Sequence, residues 1–82
     1  MRTLSIFDDE KFVASVTMNG TTPLIFARTS RSWSETNMLV HDRYTRTVKG
    51  KYIEVKMDDA DFLQYVAERA QGYNFSTELV DE

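Results

Sequence analysis

Cysteine is absent from this chain. Disulfide staples, thiolate metal sites and cysteine nucleophiles are therefore excluded together, and a reducing, cytoplasmic location is expected. There is one histidine, His41, so the adjoining Asp42 cannot complete a metal site that needs several imidazoles. Three glycines are too few for a phosphate-cradling loop, and no G-x-S-x-G elbow is present to present a serine nucleophile. No apolar run approaches the roughly 18 residues of a membrane span. The opening "MRTLSIFDDE" reaches Asp8 before a signal-peptide core could develop, so neither membrane insertion nor export is expected.

What is present suits one small folded domain, spanning residues 1–82. Hydrophobic residues make up 41% and aromatics 12%, enough for a core, while 28% charged residues is ordinary for a globular chain. No repeat, linker or low-complexity stretch divides it.

Local patterns predict the elements. "TLSIF" reads as a short strand ending at Asp8, Asp9 and Glu10. "KFVASVTM" alternates, with Phe12, Ala14, Val16 and Met18 expected on one face and Val13, Ser15 and Thr17 on the other. Asn19-Gly20 tolerates the positive φ of a tight turn and predicts a hairpin into "TPLIFA". A three-residue loop there would set Leu24 and Phe26 opposite Val16 and Ala14, joining the apolar faces; a two-residue loop would oppose Pro23 and Ile25 to them. The longer loop is the expectation. A second hairpin is centred on Lys49-Gly50, with Arg46 facing Ile53 and Val48 facing Lys51. Residues 34–43 fit either a short helix capped by Ser34 or a strand running into that hairpin.

The helix over residues 59–71 has the fullest set of signals. Asp58 is placed to cap it, Asp59 and Asp61 oppose the positive end of its dipole, and Gly72 stands where a left-handed cap is expected. Phe62, Leu63, Val66, Ala67 and Ala70 form one apolar stripe. The three aspartates are thereby explained without a magnesium ion. The tail "YNFSTELV" alternates as a last edge strand. The fold class that follows is α+β: a small antiparallel sheet of five or six strands with one amphipathic helix packed on one face.

Charge is unevenly distributed. Residues 1–27 carry a net −1, residues 28–51 a net +4 and residues 52–82 a net −6, within a total of −3. The basic third also holds Trp33, the lone tryptophan, in the stretch "ARTSRSW". Arginine offers a planar fork of donors, and aromatic rings anchor interfaces or stack on bases. The leading expectation is a non-catalytic macromolecule-binding protein, a small regulator or inhibitor docking on a larger protein in the manner of phage or bacterial accessory proteins. Its expected contact residues are Arg28, Arg31, Trp33, Arg43, Tyr44 and Arg46, with no catalytic residue, metal or cofactor. The competing expectation for Trp33 is a core position.

Three alternatives follow from the same layout. The basic segment 28–51 could bind RNA or single-stranded DNA, although overall acidity opposes phosphate. The C-terminal acids Glu78, Asp81 and Glu82 could mimic nucleic acid. Finally, His41 with Arg43, Arg46, Lys49 or Lys51 has the residue types of a metal-independent ribonuclease.

Overall fold

A computed structural model describes residues 2–19, 22–40, 46–49, 52–55 and 58–81. The first strand, β1 (Arg2–Asp8), buries Leu4 and Ile6 and turns Thr3, Ser5 and Phe7 the other way. It pairs antiparallel with β2 (Lys11–Asn19) through a two-residue turn closed by Asp8 and Lys11. Asp9 and Glu10 in that turn have φ of 51° and 69°. Both are left-handed, as a primed hairpin turn requires, yet neither is glycine.

A bulge then decides the faces of β2. Ile6 pairs with Ala14, but the next residue of β1, Phe7, pairs with Phe12, so Val13 is the extra residue. Ala14, Val16 and Met18 point into the core as expected. Phe12 does not: the bulge rotates it onto the opposite face, beside Phe7, at a ring distance of 6.0 Å.

The strand β3 (Thr22–Ala27) pairs with β2 in a register that differs from both loop alternatives. Asn19 faces Thr22 across a two-residue loop, and Met18, Val16 and Ala14 face Pro23, Ile25 and Ala27. Leu24 and Phe26 accordingly lie on the far face, away from the core. The donation from Arg28 N–H to the Val13 carbonyl, at 3.1 Å, sets the parity of the ladder. It turns the nitrogen of Pro23 outward, where the missing N–H leaves no ladder bond unmade.

The chain continues into α1 (Ser30–Val40), resolving the ambiguity of residues 34–43 in favour of helix up to Val40. Its cap is Thr29, not Ser34. Ser32 N–H donates to Thr29 Oγ1 at 3.0 Å and Thr29 N–H donates to Ser32 Oγ at 3.3 Å, a reciprocal box with serine in the usual glutamate position. Short strands β4 (Arg46–Lys49) and β5 (Tyr52–Val55) follow as a hairpin. Arg46 faces Val55 and Val48 faces Ile53, two residues along from the expected register. The helix α2 (Asp59–Gly72) and the strand β6 (Ser76–Asp81) complete the order.

The class is α+β, as the patterning implies, but with a four-stranded antiparallel sheet and two helices. The sheet runs β3-β2-β1-β6, and β4-β5 forms a separate pair whose β5 approaches the β3 edge. A single sheet of five or six strands does not form, because the second hairpin lies beside that edge instead of joining it. The sequence offers α1 only as one of two alternatives, because its cap is a threonine-serine pair and its buried face is short: Thr36, Leu39 and Val40.

Both helices pack on the face that carries Leu4, Ile6, Val16 and Met18. Phe62, Leu63 and Val66 are wholly buried there. At about 25 cal/mol per Å² of apolar surface removed from water, these side chains are the main source of stability in a domain this small.

The end of α2 departs from expectation. Gly72 is the last helical residue, and the left-handed position belongs to Asn74, with φ of 67°. Phe75 N–H donates to the Ala70 carbonyl and Asn74 N–H to that of Gln71, both at 3.0 Å, the two bonds of a Schellman cap. Phe75 then packs on the core.

Two stability changes are expected. A Cβ at Gly72 would meet nothing within 4 Å, so Gly72→Ala should raise the free energy of unfolding by about 0.4–1 kcal/mol. Urea titration reads it; a positive φ at 72 would instead make the substitution destabilising. Glu10→Gly should likewise stabilise the β1–β2 hairpin, by about 1 kcal/mol, because glycine removes the Cβ penalty of the left-handed turn.

Candidate functional site

Six large apolar side chains are exposed among the described residues: Leu24, Phe26, Trp33, Met38, Tyr73 and Leu79. Their placement defines two surfaces and an isolated leucine on β6. The first surface surrounds β3. Neither helix covers the sheet face that carries Leu24 and Phe26, because both pack on the opposite one. Phe26 is 64% exposed and its ring stacks on Phe12 at 6.3 Å, which in turn meets Phe7 edge-on. Three aromatics thus form a row across β3, β2 and β1.

Trp33 lies round the end of the same strand. It is 47% exposed, so it is not a core residue. With Arg28 it lines a shallow depression of about 420 Å³ where β3 gives way to α1. Arg31 is elsewhere. Two helical positions turn the chain by about 200°, which sends Arg31 and Trp33 to opposite flanks of α1. On its own flank the Arg31 guanidinium is matched by Glu35, Nε to Oε1 at 3.0 Å, one turn further along. That pair places a carboxylate beside a cation that would otherwise sit unfavourably at the positive end of the helix dipole. The seven residues "ARTSRSW" therefore contribute to two surfaces.

Of the other expected contact residues, Arg46 opens β4 opposite Val55. Arg43 and Tyr44 lie outside the described residues, as do His41 and Lys51 of the ribonuclease alternative. Sequence reading missed Phe7, Phe12, Leu24 and Phe26. Phe12 gave no usable signal, since a one-residue bulge reverses its face; Leu24 and Phe26 were assigned inward by the wrong loop length.

The second surface is a groove between α1 and the α2-to-β6 connection. Its volume is about 450 Å³, and Asp8, Arg31 and Glu35 stand around it with Tyr73. Ile6, Val13, Leu39 and Phe75 supply apolar lining, and Thr36 is the one buried polar side chain among the described residues, at 3% exposure. A neighbouring hollow of about 260 Å³, bordered by Met38 and Arg69, shares Glu35, Leu39, Tyr73 and Phe75 with it.

No known family, curated protein or solved structure matches this chain. Among the described residues no three His, Asp or Glu side chains gather as a metal site, and no helix is long and apolar enough to cross a membrane.

The lone indole makes its surroundings measurable. Trp33 fluorescence should be quenched by iodide more effectively than by caesium, because Arg28 beside it attracts the anion. Arg28→Ala should remove most of that difference, and salt should shrink it. Equal quenching by the two ions in the wild-type protein would contradict the placement.

Proposed function

We propose that the domain is a non-catalytic binding module, a small regulator or inhibitor that docks on a larger protein, and that β3 with the start of α1 is its contact surface. The observation that carries this reading is Phe26, largely exposed yet held by stacking on Phe12. An aromatic already fixed by its neighbour loses little freedom on binding, so more of its contact energy survives as affinity. Trp33 and Arg28 add the two residue types that most often dominate interfaces. Arg28 supplies donors for a carboxylate or carbonyl on the partner. Arg31, across the helix, would serve a rim contact, and Arg43, Tyr44 and Arg46 extend the set along the basic third.

Nucleic acid is the second reading, because a row of aromatics on a sheet face is an arrangement on which bases stack. The carboxylates count against it. Asp8, Asp9 and Glu10 follow Phe7 in the adjoining turn, and Glu78 shares the uncovered face through its pairing with Ser5. Phosphates would meet these charges at close range.

Immobilised protein in a nuclease-treated lysate is expected to retain a larger protein. Phe26→Ser combined with Trp33→Ala should lower that retention at least tenfold, while Gln64→Ala on the exposed side of α2 leaves it unchanged. Each of these side chains is exposed, so circular dichroism should report an intact fold. Retention that survives the double substitution would dismiss this surface, and material lost wholly to nuclease would transfer it to nucleic acid.

A further inference from the structure

We infer that the groove between α1 and the α2-to-β6 connection binds an alkylammonium group, the chemistry of a free amine or of a lysine side chain. This site shares only Arg31, a rim residue, with the contact set proposed above and does not depend on the reading given to the β3 surface. Four features point the same way.

Thr36 is the first. It is 97% buried, lines the groove, and its hydroxyl has no hydrogen-bond partner among the described residues. A buried hydroxyl left unbonded is costly, and a ligand donor reaching it recovers that cost. The second is charge. Asp8 and Glu35 face one cation, Arg31, and Arg31 already holds Oε1 of Glu35. Asp8 has no ion pair among the described residues, although Lys11 is its neighbour across the β1–β2 ladder. The lining therefore carries a net −1, with one carboxylate unmatched. The third is aromatic: Tyr73 and Phe75 border the same space, and ring faces attract ammonium groups. The fourth is the floor, where Ile6 and Leu39 offer apolar surface to a methylene stem.

An anion is disfavoured by the same arrangement, since among the described residues Arg31 is the one guanidinium in the lining and its Nε already donates to Glu35. A neutral apolar ligand would leave both Asp8 and Thr36 unserved. The geometry of α2's Schellman cap is what brings Phe75 back over the groove, so the site is a product of the fold and not of one sequence segment.

The test is an amide-resolved NMR titration of the whole protein with n-butylammonium, 1-butanol and butyrate. Saturable shifts centred on Asp8, Thr36 and Phe75 are expected for the ammonium compound alone. Asp8→Asn should weaken that binding at least fivefold. Thr36→Val should weaken it too, and at the same time raise the urea midpoint of the free protein, because it replaces an unbonded hydroxyl with a methyl of equal size. A lowered midpoint would mean that the hydroxyl has an internal partner and would overturn the proposal. So would equal responses to the three compounds, or butylammonium binding indifferent to Asp8→Asn. Spermidine and Nα-acetyl-lysine methylamide, titrated in parallel, distinguish the two sources: tighter binding of the first supports a free amine, of the second a lysine of a partner protein.

Discussion

The contact between one face of the sheet and the two helices is what the rest of the molecule depends on. Leu4, Ile6, Val16 and Met18 are closed over by Leu39 and Val40 from α1 and by Phe62, Leu63 and Val66 from α2. No disulfide supplements it. Because side chains alternate along a strand, committing these residues to the core commits their neighbours to the opposite face. Thr3 and Thr17 meet there, their hydroxyls 2.9 Å apart, and so do Phe7, Phe12, Leu24 and Phe26. The uncovered aromatic row is thus the direct complement of the core.

The Val13 bulge gives that face its character. Without the extra residue Phe12 would have continued the line of Ala14 and Val16 on the core face. With it, Val13 packs against the core and Phe12 becomes the bridge between Phe7 and Phe26. A single backbone irregularity therefore links core packing to the surface to which we assign binding. The tight turn that follows Phe7 carries its own conformational cost, with Asp9 and Glu10 both left-handed. It leaves Asp8 at the mouth of the groove.

Electrostatics divides the molecule less simply than the charge count along the chain implies. Arg31 belongs to the basic third, yet Glu35 of the same third matches it. Arg2 and Asp81, from opposite ends of the sequence, pair at 3.3 Å because β1 and β6 are neighbours. Both pairs are solvent-exposed, and such pairs contribute only about 0–1 kcal/mol each. Their importance is in what they leave over: Arg28 beside Trp33 on one flank of α1, and an unmatched Asp8 on the other.

Much of the framework is legible in the residues alone. The strand β1, the first hairpin at Asn19, α2 with its Asp58 cap and the edge position of β6 all follow from signals within a few residues of one another, since capping, turn propensity and periodicity act through local backbone geometry. Asp58 indeed accepts from Ala60 N–H, through Oδ2 at 3.2 Å. What tertiary structure decided is which side each residue shows. The inward placement of Ile25 in preference to Leu24 and the reversal of Phe12 each turn on one residue of register, and the left-handed cap stands two residues beyond Gly72, at Asn74. Strand faces repeat every two residues and helix faces every 3.6, so an offset of one is invisible to composition and pattern but reverses a surface. Packing against a core assembled from distant segments is what selects among those offsets.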